Sequence, residues 1–122
     1  MKGTILLVDD DEMSSQILSF ILTDEGYEVD LAATGETGVE KVSAKSYDVV
    51  FLDFYLPDMK GIDAASKMKK ISPNIKIVLL TGYAKSGEDQ KENDYERVLL
   101  KPVPPEVIIR TIAEILGPQI AK

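Results

Sequence analysis

Carboxylate side chains follow two apolar runs of this sequence, at the point where each run ends. Asp9 and Asp10 come directly after the run at residues 5–8, and Asp53 closes the run at residues 49–52. Crowded carboxylates repel one another and raise each other's pKa values, so they favour a hard divalent cation such as Mg²⁺, which keeps them ionised. These residue types therefore predict metal-assisted chemistry at a carboxylate if the fold brings the two run ends together.

Two other apolar runs also end in polar residues. Thr81 follows the run at residues 75–80, and Lys101 follows the run at residues 98–100. Ligands of open parallel sheets bind outside the carboxyl ends of the strands, so residues at such positions meet at one edge. A hydroxyl and an ammonium group would thus lie beside the carboxylates.

The spacing of the apolar runs predicts the fold that positions these residues. Short runs alternate with segments of helical periodicity, which indicates a (βα)5 chain of the α/β class. The runs lack polar alternation, as is typical of parallel strands that helices cover on both faces, so we expect a doubly wound parallel sheet. A chain of 122 residues suffices for one domain, residues 1–122. In chain order the predicted strands lie at residues 5–8, 29–31, 49–52, 75–80 and 98–100.

Four helices are predicted from apolar residues that recur at helical spacing. The first runs from Glu12 to Glu25, with Gly26 as its carboxyl-terminal cap. The third stops at residues 72–73, and the last begins at residues 104–105 and ends at 117–118. In chain order, the residues predicted to share one face of each helix are Met13, Ile17, Phe20 and Ile21; Val39 and Val42; Ala65, Met68 and Ile71; and Ile108, Ile112 and Ile115.

Another segment of the chain, residues 84–96, has little to bury. Its one large apolar side chain is Tyr95, and most of its other residues are charged or polar. We predict a frayed helix or a solvated loop there.

Composition excludes several classes of function. The chain has no cysteine and no histidine, which removes disulfides, thiol nucleophiles, imidazole metal sites and histidine-based catalytic triads. Its formal net charge of -7 argues against direct binding of nucleic acid or anionic membranes. The apolar runs are too short to span a bilayer, and residues 1–4 have no signal-peptide pattern. We expect a soluble, cytoplasmic protein.

A known family carries polar residues in this order at the ends of its strands. The set in this chain is the polar residues Asp9, Asp10, Asp53, Thr81 and Lys101, with Pro102 directly after the lysine. It closely resembles the receiver domain of two-component response regulators, and the resemblance extends from Thr4 to about Leu116. The resemblance implies a flavodoxin-like, three-layer α/β/α fold. It also implies that Asp53 accepts a phosphoryl group, in a Mg²⁺-dependent reaction, from a phosphohistidine on a sensor histidine kinase or a histidine phosphotransfer protein.

The same resemblance implies roles for the other polar residues of the set and for Tyr55. Asp10 would bind Mg²⁺ directly, Asp9 largely through water, and Tyr55 through its backbone carbonyl. Lys101 and Thr81 would each hold an oxygen of the phosphoryl group, since phosphoryl transfer asks a protein mainly for positioning and charge stabilisation. The protein would not be an enzyme with a separate substrate, and it would lose its phosphate slowly by itself.

The output route departs from the family pattern at one position. Receiver domains often carry an aromatic residue three positions before the lysine, whereas this chain has Val98, a stiff side chain without a ring. We therefore expect phosphorylation to act by another internal movement on residues 84–96 and to change the binding of an unidentified effector. On the last helix, Val107 and Ile109 either pack against a second subunit, in a phosphorylation-linked homodimer, or complete the core.

Other functions fit parts of the pattern. A receiver-shaped interaction module would bind partners without being phosphorylated, as Val98 and residues 84–96 would allow. A Mg²⁺-dependent aspartyl phosphohydrolase of the haloacid dehalogenase type also places its nucleophile after a strand, but it needs a second aspartate where this chain has Tyr55. A flavodoxin-like flavin-binding protein is disfavoured, because the acidic residues 9–12 would repel the flavin phosphate.

Overall fold

The computed structural model describes residues 2–82 and 94–117 of the chain. Within these ranges the alternation of strands and helices is the predicted one, and each strand limit lies within one residue of its prediction. Residues 84–93, which make up most of the segment predicted as a frayed helix or loop, lie outside the described ranges. The elements are β1 Thr4–Val8, α1 Glu12–Asp24, β2 Glu28–Ala32, α2 Gly35–Ala44, β3 Val49–Asp53, α3 Gly61–Ile71, β4 Lys76–Thr81, β5 Arg97–Leu100 and α4 Pro105–Leu116.

The strands form one parallel sheet in the order β2-β1-β3-β4-β5. This order reverses direction between β1 and β3, and such a switch point opens a crevice at the carboxyl ends of the strands. Val8 at the end of β1 pairs with Leu52 in β3. The predicted α/β fold is therefore confirmed, and the acidic ends of β1 and β3 are neighbours.

Apolar side chains cover both faces of the sheet. In β1, Leu6 and Val8 belong to a core cluster with residues of α2 and α3, whereas Ile5 and Leu7 belong to a second cluster with residues of α1 and α4. In the described residues, α2 and α3 lie on one face of the sheet and α1 and α4 on the other, which makes three layers. Ile109 of α4 packs against the second cluster, so it helps to complete the core, as one of the two alternatives requires.

The helix ends follow the predicted signals. Helix α1 ends at Asp24, and Gly26 then adopts a φ of 107°, a left-handed value that glycine accepts most easily. Helix α4 begins at Pro105, where a missing amide donor costs little, and is followed by Gly117 with a φ of 78°.

The apolar residues predicted to share one face of α1 do lie on one side of the helix, but this side is mostly exposed and does not pack on the sheet. Met13, Ile17 and Phe20 are 73%, 57% and 76% exposed, whereas Ser15 and Leu22 are buried. At 3.6 residues per turn these two groups lie on opposite sides of the helix. Helix α1 has apolar residues on both sides, so packing against the sheet decided which side was buried.

Helix α3 departs from its prediction at its last residue. Ala65 and Met68 are fully buried, whereas Ile71, which is predicted to share their face and is the last residue of α3, is 45% exposed. None of the helices in residues 2–82 and 94–117 is long and apolar enough to cross a membrane.

Candidate functional site

Three carboxylates meet at the switch point of the sheet. Asp9, Asp10 and Asp53 each offer one carboxylate oxygen, and these oxygens all lie within 4.8 Å of one another. Asp9 and Asp53 are partly buried, while Asp10 is exposed. Three anionic oxygens this close repel one another unless a cation lies between them, and oxygen ligands suit a hard divalent ion such as Mg²⁺. The residues present therefore fit the predicted metal.

The acidic residues after β1 have two roles: some join the carboxylate cluster and one caps α1. The Asp9 amide donates to Ala32 O at 3.0 Å, and its Oδ1 accepts a hydrogen bond from the Asp11 amide at 3.0 Å. Asp11 is the amino-terminal cap of α1, since its Oδ1 accepts from the Ser14 amide at 3.2 Å and its Oδ2 from the Ser14 hydroxyl at 2.9 Å. These hydrogen bonds hold the pKa of the Asp11 carboxyl below its ordinary value. Only the first two aspartates of the run join the carboxylate cluster.

Asp53 lies at the centre of the site. Its side chain is only 14% exposed, and the next residue, Phe54, donates its amide to Leu80 O at 2.7 Å, which fixes the end of β3 against β4. Burial raises the pKa of the Asp53 carboxyl, the hydrogen bond and charge of Lys101 oppose this rise, and the charges of Asp9 and Asp10 add to it.

Lys101 connects the ends of three strands. Its Nζ lies 3.0 Å from Asp53 Oδ1 and 3.5 Å from Asp9 Oδ2, and its amide donates to Thr81 O at 2.7 Å. Burial acts to lower the pKa of the ammonium, but the hydrogen bond to Asp53 and the nearby carboxylate charges outweigh it and raise the pKa. The Lys101–Pro102 peptide bond is cis.

Thr81 is brought to the same edge. It is the last residue of β4 and is buried, and its strand neighbour Leu80 pairs with Asp53 in the parallel register. The structure thus places Asp9, Asp10, Asp53, Thr81 and Lys101 at adjoining strand ends.

The loop after β3 fits closely around the Asp53 backbone. Tyr55 forms an isolated antiparallel bridge with Lys60, and its exposed ring contacts the Phe54 ring edge to face. The Gly61 amide donates to Phe54 O at 2.6 Å, and a Cβ at Gly61 would lie 2.3 Å from Asp53 O. Any side chain at position 61 would displace the backbone that carries Asp53. We did not predict this requirement, for which the only signal was a glycine in the turn after Asp53.

Comparison with known proteins decides the family. The family model of the response regulator receiver domain matches residues 5–113, which is most of the chain. The chain belongs to this family. Receiver domains serve two-component signal transduction, and accepting a phosphoryl group is the function of the family.

Relatives of the receiver domain agree with this assignment. Chemotaxis protein CheY of Treponema pallidum is 35% identical over 117 residues, an alignment that covers 92% of this chain and 81% of that protein. The transcriptional regulatory protein ZraR of Klebsiella oxytoca is 32% identical over 115 residues, and the chain spans only 26% of its length.

Solved structures share the architecture of the receiver domain. A CheY-like receiver domain protein of Methanospirillum hungatei superposes with a TM-score of 0.87 at 34% identity, covering 93% of this chain and 92% of that one. Response regulator TrrA of Thermotoga maritima, solved in complex with Mg²⁺ and BeF, gives a TM-score of 0.83 at 29% identity, covering 92% of this chain and 97% of that one.

A groove opens beside the receiver site, between α1 and α4. Its volume is about 560 Å³, and it reaches from Asp9 and Lys101 to Ile17 of α1 and Pro105 of α4. The exposed side chain of Met13 lies one helical turn before Ile17, on the same side of α1. The charged site therefore adjoins an exposed apolar surface.

Proposed function

We propose that Asp53 is the phosphoacceptor of this receiver domain and that the donor is a phosphohistidine on a sensor histidine kinase or a histidine phosphotransfer protein. The observation that carries the proposal is the placement of Asp53, a largely buried carboxylate that lies 3.0 Å from the Lys101 ammonium and within 4.8 Å of two other carboxylates. Positive charge beside a nucleophilic carboxylate is what phosphoryl transfer requires, because the transferred group brings further negative oxygens.

Asp9, Asp10 and Asp53 would hold the Mg²⁺, and Tyr55 would add its backbone carbonyl. The bound ion would neutralise the phosphoryl oxygens. The close grouping of the three carboxylates supports this assignment, as does the Mg²⁺–BeF complex of the related TrrA.

The residues of the chain divide the transfer between them. A carboxylate oxygen of Asp53 attacks phosphorus, the phosphorus–nitrogen bond of the donor breaks, and its electron pair returns to the imidazole. The Lys101 ammonium, which contacts the Asp53 carboxylate before transfer, binds one phosphoryl oxygen, and the Thr81 hydroxyl donates a hydrogen bond to another. No other substrate is turned over, so the protein acts as a phosphorylated signal rather than as an enzyme, and it loses the phosphoryl group slowly to water.

The donor protein would dock on the groove and on the exposed side of α1. A phosphohistidine must approach Asp53 from solvent, so the donor surface around it contacts whatever adjoins the site. Ile17 lines the groove and is 57% exposed, and apolar side chains of this kind make useful anchors at interfaces. After transfer, the phosphorylated domain would change its binding to an effector. We place these events in the cytoplasm and assign residues 1–122 to a single domain.

The docking surface is tested by comparing a protein donor with a small one. Ile17→Ser should slow phosphorylation by a phosphohistidine donor protein about fivefold or more, equivalent to about 1 kcal/mol, and leave acetyl phosphate unaffected. Ile71→Ser, on an exposed apolar residue of α3, is the matched control. Equal rates for both variants with the protein donor would remove α1 from the docking surface.

The acceptor assignment is tested with Mg²⁺ and beryllofluoride, a phosphoryl mimic. In amide NMR spectra, the wild-type chain should show shifts at the ends of β3, β4 and β5 beyond those that Mg²⁺ alone causes. Asp53→Asn should not show them. If the wild type gives no such shifts, the chain is better described as an interaction module that is not phosphorylated.

A further inference from the structure

The carboxylate of Asp58, in the turn that follows Asp53, forms hydrogen bonds to α2, a helix that is distant in sequence. Asp58 Oδ1 accepts a hydrogen bond from the Gly35 amide at 2.8 Å, and Oδ2 accepts one from the Glu36 amide at 2.9 Å. Both amides belong to the first turn of α2, where no helical carbonyl is available to them. These two bonds hold the pKa of the Asp58 carboxyl below its ordinary value, so the side chain stays ionised and the bonds are charge-assisted.

Helix α2 already has a cap of its own. Thr34 is its amino-terminal cap residue, and the Thr34 hydroxyl oxygen accepts from the Thr37 amide at 3.0 Å. Asp58 therefore supplies bonds from outside the helix, across 23 residues of sequence. The contact joins two elements and is more than a local helix cap.

A second contact at the same place reinforces the attachment. A Cβ at Gly35 would lie 2.5 Å from Cγ of Met59, so the Met59 side chain occupies the space that glycine leaves at the start of α2. Met59 also packs against the core cluster on this face of the sheet. The tip of the turn is thus held by the two hydrogen bonds that Asp58 accepts and by the apolar packing of Met59.

The other end of the turn leads directly to the receiver site. The Leu56 amide donates to Met59 O at 3.0 Å, which closes the tip. The Gly61 amide donates to Phe54 O at 2.6 Å, which closes the base, and these two hydrogen bonds together form the antiparallel bridge between Tyr55 and Lys60. Because hydrogen bonds close the turn at both ends, we expect a shift of the tip to move the backbone at Tyr55 as well.

We propose that Asp58 is a positioning residue for the metal site: by anchoring the turn to α2 it fixes the backbone carbonyl of Tyr55 and the end of β3 in the geometry that Mg²⁺ needs. This proposal rests on the proposed function, in which Tyr55 and Asp53 contribute ligands. A hard cation with a strict geometry binds tightly only to ligands that are held in place beforehand.

The test is a titration of the full chain with Mg²⁺ alone, in which amide NMR shifts measure the Mg²⁺ affinity. Asp58→Ala should weaken Mg²⁺ binding about tenfold, as loss of a residue that orients metal ligands typically does. Asp58→Asn keeps one acceptor oxygen, so its affinity should fall between those of the wild type and Asp58→Ala.

Two control variants separate positioning from simpler causes. Thr34→Ala removes the helix's own cap and should lower the melting temperature by an amount similar to Asp58→Ala, with Mg²⁺ affinity unchanged. Glu36→Gln removes one negative charge at the same helix end without removing the amide that binds Asp58. If either control weakens Mg²⁺ binding as much as Asp58→Ala does, or if Asp58→Ala binds Mg²⁺ like the wild type, the positioning role is overturned. Absence of Mg²⁺ binding in the wild type would overturn the proposed metal site as well.

Discussion

The ammonium of Lys101 lies 3.0 Å from Oδ1 of Asp53, while the Lys101 amide donates to the carbonyl oxygen of the buried Thr81 at 2.7 Å. The same Nζ is 3.5 Å from Asp9 Oδ2. One lysine thus offsets part of the charge of two carboxylates that are also proposed to bind Mg²⁺. Because a bound Mg²⁺ would share these oxygens with the ammonium, we expect the lysine to oppose metal binding and to favour the arrival of a phosphoryl group.

Lys101→Met should therefore change two measurements in opposite directions. Mg²⁺ should bind about threefold more tightly, because a partly exposed positive charge of this kind is worth at most about 1 kcal/mol. Phosphorylation by acetyl phosphate should slow by about 10²-fold, as is typical when one group that stabilises transition-state charge is removed. Metal titration and a time course of intact mass measure the two effects. Weaker Mg²⁺ binding in the variant would contradict this account of the lysine.

Gly61→Ala should damage both stability and the metal site. The added Cβ would meet Asp53 O at 2.3 Å and Phe54 Cα at 3.1 Å, and backbone atoms cannot move aside as a flexible side chain does. We expect a loss of about 2 kcal/mol in the free energy of unfolding, within the usual range for overpacking, and weaker Mg²⁺ binding because the end of β3 shifts.

Gly82→Ala is the matched control for that substitution. Gly82 follows Thr81 at the neighbouring strand end, and a Cβ there would meet no atom of a non-adjacent residue within 4 Å in the part of the chain that the structure describes. Denaturant unfolding and Mg²⁺ titration of both variants make the comparison. If Gly61→Ala behaves like Gly82→Ala, the close approach at Gly61 is not required.

A polar cluster at the opposite end of the sheet should affect stability at alkaline pH. The Tyr47 hydroxyl donates to Asp30 Oδ2 at 2.7 Å, while the Lys45 ammonium lies 2.9 Å from Asp30 Oδ2 and 2.8 Å from Glu28 Oε2. Burial, followed by the hydrogen bond to Asp30, raises the pKa of Tyr47 to about 12. In the folded state the Tyr47 hydroxyl therefore keeps a proton that it loses at about pH 10 in the unfolded chain.

Tyr47→Phe should reveal this contribution. The raised pKa stabilises the fold fully below about pH 10, and this stabilisation is lost as the pH rises to about 12. At pH 7 the missing hydrogen bond should lower the free energy of unfolding of the variant by about 1 kcal/mol. This difference in stability between the two proteins should disappear between about pH 10 and pH 12. Urea unfolding across this range measures it. A constant gap would contradict the assignment of the titration to Tyr47.

Most of the site residues were predictable because of where parallel strands end. Asp9 and Asp53 are far apart in sequence, but both follow apolar runs, and the carboxyl ends of neighbouring parallel strands lie at one edge. The order of polar residue types along the chain then sufficed to indicate the family, whose model matches residues 5–113.

The orientation of α1 was not predictable in the same way. Leu22, on the buried side, and Ile17, on the exposed side, both belong to helical apolar patterns. The buried Ser15 has a polar side chain, so hydrophobic periodicity does not select its side of the helix. Only the packing of α1 on the sheet distinguishes the two sides, and the exposed side is the one that adjoins the site.

Residues that act on the backbone were also missed. Asp58 and Gly35 lie 23 positions apart, and nothing in the sequence pairs them. At position 61 a Cβ would lie too close to the Asp53 carbonyl oxygen, so only glycine fits. This close approach arises from the folded turn and cannot be read from the sequence. Such roles depend on loop geometry, to which residue type is a weak guide.

The central claim, phosphorylation of Asp53, is tested most directly by intact mass after incubation with acetyl phosphate, with and without Mg²⁺, for the wild type and Asp53→Asn. We predict the gain of one phosphoryl group in the wild type only when Mg²⁺ is present, and no gain in Asp53→Asn. A wild-type chain that gains no phosphoryl group from acetyl phosphate or from a phosphohistidine donor protein, or an Asp53→Asn chain that gains as much, would contradict the account.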